Sequence, residues 1–140
     1  MAQLNPVVGD VAGNVRRIEE TLEGQAGSAP DLVVFPELFL AGYPPRDLLE
    51  RRWFIERVQA AIGDLQRISQ QHPQTGILFG APTPSNHAVG AGLYNTAILI
   101  YQGEILLRQH KSLLPTYDVF DEARYFDPAP ALSVVPFKGE

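Results

Sequence analysis

The chain has 140 residues, enough for one domain, and 45% of them are hydrophobic, as in a folded globular protein. Its net charge of -5 and the lack of a Lys/Arg cluster argue against a nucleic-acid partner. It contains no cysteine, which excludes disulfides, thiolate metal sites and a cysteine nucleophile within these residues. No apolar run approaches the roughly 20 residues of a membrane span, and no secretory signal is recognisable, so we expect no membrane partner.

The first third of the chain is predicted to form a strand, a helix and a second strand. A very short strand is expected at residues 2–4. Asn14 is predicted to cap the helix, and Gly24 to end it. The apolar face of this helix is expected to hold Val15, Ile18 and Leu22. An apolar strand follows at residues 32–35, and this order is typical of a βαβ opening.

A helix is predicted in the middle of the chain. Asp47 is expected to cap it, with Glu50 three residues later completing a capping box. Its apolar pattern is strong from Phe54, and the helix is expected to run for about four turns, packing one side on a sheet. Its apolar face consists of Ile55, Val58, Ile62, Leu65 and Ile68. Pro73 follows and is expected to stop it.

The second half of the chain is predicted to be rich in strands. A strand at residues 77–80 is expected to be ended by Pro82, because proline cannot donate a backbone hydrogen bond to a sheet. Residues 93–101 and 104–109 are expected to form a hairpin around the tight turn Gln102-Gly103. Apolar residues fall on both faces of the first hairpin strand, which indicates a sheet covered on both sides.

The region after the hairpin is predicted to be a long loop and a last strand. Residues 111–130 show little hydrophobic periodicity and mix acidic with aromatic side chains. Long loops of this kind more often carry functional residues than serve only as connections. Residues 132–137 are predicted to form a strand. Since only two substantial helices are available to cover six strands, much apolar surface is expected to stay unpaired, and the chain is interpreted as an incomplete unit.

Glu37 is the first candidate functional residue. It follows the strand at 32–35 and stands among large apolar residues, where a carboxylate is costly to bury unless it is paired or used. A strand end that presents one carboxylate in an apolar setting can supply a general base. The alternative is a bulged strand end from which Glu37 points to water.

Lys111 is the second candidate, at the end of the strand that starts at Glu104. A lysine near a carboxylate at strand ends can stabilise an oxyanion, and the alternative is a solvated lysine at the start of a loop. His72, His87 and His110 show no spacing for a metal site. No phosphate-binding glycine loop and no dinucleotide-binding glycine pattern is present.

Four stretches of the chain resemble the glutaminase region of glutamine-dependent NAD synthetases, a branch of the nitrilase superfamily. They begin at Ala2, Phe35, Leu93 and His110 and run in order through nearly the whole chain. Phe-Pro-Glu at 35–37 and Lys-x-x-Leu at 111–114 occur across the superfamily. The narrower pieces are Gly-Tyr-Pro-Pro-x-Asp-Leu-Leu at 42–49 and Tyr-x-Val-Phe-Asp-Glu-x-Arg-Tyr-Phe at 117–126, and they point to the synthetase branch.

The resemblance implies an α/β fold, the nitrilase-like α-β-β-α sandwich, with residues 1–140 as an incomplete N-terminal part of a glutamine amidotransferase (carbon-nitrogen hydrolase) domain. It also implies a Glu-Lys-Cys triad. Glu37 matches the general base, Lys111 matches the residue that stabilises the oxyanion, and Glu122 matches a second carboxylate that positions the lysine or the amine. Tyr43 and Tyr117 match pocket residues for glutamine.

In this family a cysteine attacks the glutamine amide, ammonia leaves, and water hydrolyses the thioester to glutamate. The family places that cysteine on a later strand, past residue 140, so the 140-residue chain alone is expected to be inactive. The resemblance implies no cofactor and no metal in this region. ATP and Mg belong to the synthetase domain, absent from this sequence, which uses the ammonia to amidate deamido-NAD to NAD.

The resemblance further implies that the full-length protein is a cytoplasmic homo-oligomer. Two alternatives remain open at the level of the sequence. The first is another nitrilase-superfamily amidase or carbamoylase, which would share Glu37 and Lys111 but would not require the run at 42–49. The second is a non-catalytic fragment or interaction module, and the lack of cysteine favours it.

Overall fold

A computed structural model describes residues 1–25, 27, 29–85, 90–117 and 120–139. His87, and Asp118 and Val119 of the narrow motif at 117–126, lie outside these residues. The elements in chain order are helix α1 (Val11–Glu23), strand β1 (Leu32–Val34), a 3-10 helix (Arg46–Glu50), helix α2 (Arg52–Gln71), strands β2 (Gly76–Pro84), β3 (Leu93–Tyr101) and β4 (Glu104–His110), and the single turn α3 (Glu122–Tyr125).

The four strands form one mixed sheet in the order β1-β2-β3-β4. β1 pairs with β2 in parallel, and the other two pairings are antiparallel. The predicted hairpin is confirmed, since Tyr101 pairs with Glu104 across two turn residues. Both turn residues have positive φ, 52° at Gln102 and 86° at Gly103, as the favoured two-residue hairpin turn requires.

The core lies between the sheet and the two long helices. α2 packs on β2 and β3, and α1 packs beside α2. The fully buried side chains there include Ile18, Phe54, Val58, Leu65, Ile77, Phe79, Ile98 and Ile100. Because side chains alternate along a strand, Gly80 and Asn95 belong to the opposite face, where a cavity of 390 Å³ is located.

Two predicted strands, at residues 2–4 and 132–137, are wrong. The N–H of Ala2 donates to the Val34 carbonyl at 2.9 Å, but the segment forms no strand. In the last segment the N–H of Ser133 bonds to the Gln109 side chain rather than to a strand, and Val134 is 98% exposed. Without a repeating ladder of backbone hydrogen bonds, an apolar run does not become a strand.

The predicted cap of the first helix is also wrong, because Asp10 rather than Asn14 caps α1. The Asp10 carboxylate accepts from the N–H of Gly13 at 3.0 Å. Asn14 lies inside the helix and is fully buried. Its side chain is used elsewhere, in bonds to Val7 and Leu40.

The capping box predicted at Asp47 does not form. Pro45 precedes the 3-10 helix, and that helix has no side-chain cap. The Asp47 carboxylate instead accepts from the Tyr125 hydroxyl at 2.7 Å. α2 has 20 residues, or about five and a half turns, and so exceeds the predicted length.

β2 continues through Pro82 and Pro84, where the sequence predicted its end. β1 pairs only with residues 76–78, and beyond that point no strand in the described part of the chain pairs with this edge of β2. The Pro82 carbonyl turns away from β3 and accepts from the Gln59 side chain at 3.2 Å. A proline is tolerated at such an edge because no neighbouring strand needs its N–H.

Candidate active site

Glu37 lies on a tight turn that passes over Gly80. The N–H of Phe35 donates to the Leu78 carbonyl at 2.8 Å, and the N–H of Leu40 donates to the Gly80 carbonyl at 3.2 Å. Between these two bonds the chain leaves the sheet, with Leu38 in the left-handed region at φ 50°. The side chains of residues 38–41 are buried in the core, so the turn is fixed from below while Glu37 stays 45% exposed.

Lys111 meets Glu37 at the same end of the sheet. It directly follows β4, and its N–H donates to the Asn95 carbonyl at 2.8 Å. Its Nζ lies 2.7 Å from Oε1 of Glu37. The sequence predicted both residues at strand ends but could not predict this contact, which joins residues 74 positions apart.

Glu122 completes a carboxylate–lysine–carboxylate group. Its side chain is only 7% exposed, on the single turn α3, and the Lys111 Nζ lies 3.1 Å from Oε1 and 3.0 Å from Oε2. Burial, the largest influence, acts to lower the pKa of Lys111, but hydrogen bonds and charge from Glu37 and Glu122 outweigh it and raise the pKa above its usual value. Lys111 is therefore a fixed cation between two acids.

Tyr43 lies beside this group, and Tyr117 lies farther out. Burial and the negative charges of Glu122 and Glu37 raise the pKa of Tyr43, so its hydroxyl keeps its proton at neutral pH. The Tyr43 ring is 6.5 Å from that of Phe120. Tyr117 is 70% exposed, and its ring centroid is 5.8 Å from that of the same phenylalanine.

The two narrow motifs, 42–49 and 117–126, face each other across a cavity of 410 Å³. Tyr43, Asp47, Phe120 and Glu122 are among the residues that line it. Arg124 lies 3.2 Å from Glu50 and 3.7 Å from Asp47 at the rim. With the Tyr125 hydroxyl bonded to Asp47, these contacts hold the two segments against each other beside the acids.

Asn95 is a further residue of this group, and no role was predicted for it from the sequence. It is buried on β3, and its Nδ2 donates to Oε1 of Glu37 at 2.5 Å. The available signal was an asparagine within an otherwise apolar strand, since a buried amide requires partners. The register that places it beside Lys111 is not readable from the sequence.

His110 is adjacent to this site but belongs to the packing. Its ring stacks on Tyr94 with centroids 3.9 Å apart, and its Nδ1 lies 2.8 Å from the Thr96 hydroxyl. Burial, and then the charge of Arg108, lower the pKa of His110, so the ring is neutral at pH 7. Among the described residues no group of three or more His, Asp and Glu side chains is arranged to hold a metal ion.

The chain as a whole has counterparts among known proteins. The family model of carbon-nitrogen hydrolases matches residues 1–139, and the chain belongs to this family. The nitrilase-like α/β fold predicted from the sequence is confirmed, with one helix layer and one sheet among the residues described above.

Within the family, the chain is similar to glutamine-dependent NAD(+) synthetases. It is 47% identical over 131 residues to the enzyme of Synechocystis sp.. It superimposes on the synthetase of Acinetobacter baumannii solved with ADP at a TM-score of 0.87, with 31% identity over 99% of the chain. An amidase from Nesterenkonia sp. superimposes at a TM-score of 0.76 with 25% identity. The match covers 92% of this chain and 46% of the amidase chain.

The chain spans about a quarter of the length of the synthetases it matches, 23% of the Synechocystis protein and 25% of the Acinetobacter chain. No helix in the described part of the chain is both long and apolar enough to cross a membrane.

Proposed function

We propose that residues 1–140 form the first part of the glutaminase (carbon-nitrogen hydrolase) domain of a glutamine-dependent NAD synthetase. The observation that carries this proposal is Lys111, whose Nζ is held 2.7 Å from Glu37 and about 3 Å from Glu122 at the sheet end. The contacts between the motifs at 42–49 and 117–126, and the 47% identity to a synthetase, support this branch of the family.

In the proposed reaction Glu37 acts as general base for a thiol supplied from outside these residues. The thiolate attacks the side-chain amide carbon of glutamine, and the Lys111 ammonium stabilises the negative oxygen of the tetrahedral intermediate. Glu122 keeps Lys111 aimed at that oxygen. The proton from Glu37 passes to the leaving ammonia, and water then hydrolyses the thioester to glutamate. Tyr43 and Tyr117 line the glutamine pocket, Tyr43 close to the acids and Tyr117 at the rim.

The ammonia is proposed to be used in a separate synthetase domain of the full-length protein. That domain would bind ATP with Mg and amidate deamido-NAD to NAD, and this region would need no cofactor of its own. The whole protein is proposed to be a cytoplasmic homo-oligomer.

The decisive experiment is Glu37→Gln in the full-length protein. Glutamine-driven NAD formation should be lost, because the amide cannot accept the thiol proton, while ammonia-driven formation should continue. Glu56→Gln is the matched control, since it makes the same change in an exposed i,i+4 pair on α2 and should alter neither rate. Equal loss of both rates in Glu37→Gln would make Glu37 a structural residue and overturn the proposal.

A second candidate is an amidase of the same superfamily, favoured by the superposition on the Nesterenkonia amidase. Glu37 and Lys111 would play the same roles on a different amide. Rates of ammonia release from glutamine and from short aliphatic amides separate the two candidates. Preference for the aliphatic amides would favour the amidase.

A further inference from the structure

The two hydrogen bonds at Glu37 fall on the same oxygen. Asn95 Nδ2 donates to Oε1 at 2.5 Å, and Lys111 Nζ donates to that oxygen at 2.7 Å. Among the described residues, Oε2 of Glu37 accepts no hydrogen bond. The carboxylate is therefore turned so that one oxygen is held and the other is available for a proton.

Asn95 also sets the position of the lysine. Its backbone carbonyl accepts the N–H of Lys111 at 2.8 Å, next to the pairing of Thr96 with His110. One residue of β3 thus fixes both members of the ion pair, the acid through its side chain and the lysine through its backbone. Asn95 itself is buried in the sheet, so packing restricts the side chain that holds the acid.

We propose that Asn95 is a positioning residue for the base: together with Lys111 it holds Oε1 of Glu37 and so presents Oε2 as the oxygen that takes the nucleophile's proton. The inference rests on the glutaminase function proposed above. An amide is suited to this task because it donates a hydrogen bond without adding a second charge beside Lys111. With Lys111 alone, the carboxylate would be free to rotate about its terminal torsion, which is broad.

The test uses Asn95→Asp in the full-length protein. This variant keeps the shape but places an acceptor where the donor was, so a purely space-filling role would survive it. We expect kcat for glutamine hydrolysis to fall about 100-fold with KM changed by less than about threefold, because base geometry is lost and substrate contacts are kept. Asn95→Ala, which removes the donor without adding charge, should lower kcat about tenfold.

Thr83→Val is the matched control. Thr83 is buried in the neighbouring strand, and its hydroxyl lies 2.6 Å from that of Thr96. Removing this hydroxyl perturbs the sheet without touching Glu37, so kcat should stay within about twofold of wild type. Ammonia-driven NAD formation and Tm are measured for every variant, and if Asn95→Asp does not fold, Asn95→Ala decides.

The outcomes separate this inference from the proposed function. If the wild type releases no ammonia from glutamine, the glutaminase function fails and the role of Asn95 fails with it. A second outcome overturns only the role of Asn95. In it, the wild type and Glu37→Gln behave as expected, but Asn95→Asp (or Asn95→Ala, if Asn95→Asp does not fold) keeps the wild-type kcat. The role of Asn95 would also be overturned if its variants changed KM alone and left kcat unaltered. An equal fall of kcat in Thr83→Val would overturn it too.

Discussion

Gly80 lies directly beneath Glu37, and a Cβ at Gly80 would fall 2.9 Å from the Cα of Glu37. The backbone nitrogen of Leu38 would be closer still. The added Cβ would be fixed to the backbone of β2, and the atoms it meets are backbone atoms of the turn. Neither can move aside by a side-chain rotation. The turn that carries Glu37 therefore requires a glycine at this position of β2, because any side chain would prevent its close approach.

Gly80→Ala should displace this turn. We expect the free energy of unfolding to fall by about 1–3 kcal/mol, the usual cost of overpacking. Because the carboxylate moves away from Lys111, glutamine-driven kcat should fall at least about tenfold. Urea unfolding and steady-state kinetics of the full-length protein measure the two effects.

Gly63→Ala is the control for that substitution. Gly63 is inside α2, and nothing lies within 4 Å of a Cβ placed there. Since alanine is the better helix former, stability should rise by about 0.5–1 kcal/mol and kcat should not change. A Gly80→Ala variant as active as Gly63→Ala would show that the close approach is unimportant.

Asn14→Ala should destabilise the fold although the residue is far from the acids. The Asn14 amide donates to the carbonyls of Val7 at 2.8 Å and Leu40 at 3.2 Å, and its oxygen accepts from the Val7 N–H. It therefore ties α1 to the end of the Glu37 turn. Leaving these buried groups without partners should cost about 3 kcal/mol of unfolding free energy.

The matched control is Asn5→Ala, at an exposed position before α1. This substitution should change the free energy of unfolding by no more than about 0.5 kcal/mol, as is usual for surface changes. Urea unfolding of both variants gives the comparison. Equal stability of the Asn14 and Asn5 variants would contradict the role assigned to the buried amide.

Stability should decrease at alkaline pH, partly because of Lys111. Its pKa is raised in the folded protein, so the folded state holds the proton more tightly than the unfolded chain. This contribution is fully present below the unfolded value of about 10.4 and is lost as pH rises through the folded value. The raised pKa values of Tyr43 and Tyr125 act in the same direction.

Lys111→Met should therefore flatten, without abolishing, the loss of stability above about pH 10. At neutral pH the same variant should be less stable by about 3–5 kcal/mol, because Glu122 is left buried without its cation. Urea unfolding measured from pH 8 to pH 12 tests both statements. An unchanged alkaline slope in Lys111→Met would show that the lysine is not held by the two acids.

The placement of Glu37 and Lys111 could be predicted because strand ends are marked by local sequence. Val-rich runs followed by proline, and a hairpin with a tight turn, are short-range signals. Glu122 could be predicted only from the resemblance to a family. Nothing in the residues near Glu122 indicates that a single helical turn will bury it against a lysine 11 positions earlier.

The two wrong caps share one cause, a distant partner that a local rule does not see. Asn14 has the chemistry of a cap, but Val7 and Leu40 use its amide. Asp47 has the chemistry of a capping box, but Tyr125 uses its carboxylate. Asn95 escaped notice for the same reason, since its importance depends on the pairing of β3 with β4 and on the path of the turn above Gly80.

The prolines of β2 also bear on how this molecule stays apart from its neighbours. An exposed sheet edge is a template for pairing with another chain, and aggregation commonly starts there. Beyond residue 78, an incoming strand would meet no N–H at Pro82 or Pro84, and it would find the Gly80 and Pro82 carbonyls already bonded to Leu40 and Gln59. The residues that lengthen this strand past its expected end thus also protect it from edge-to-edge association.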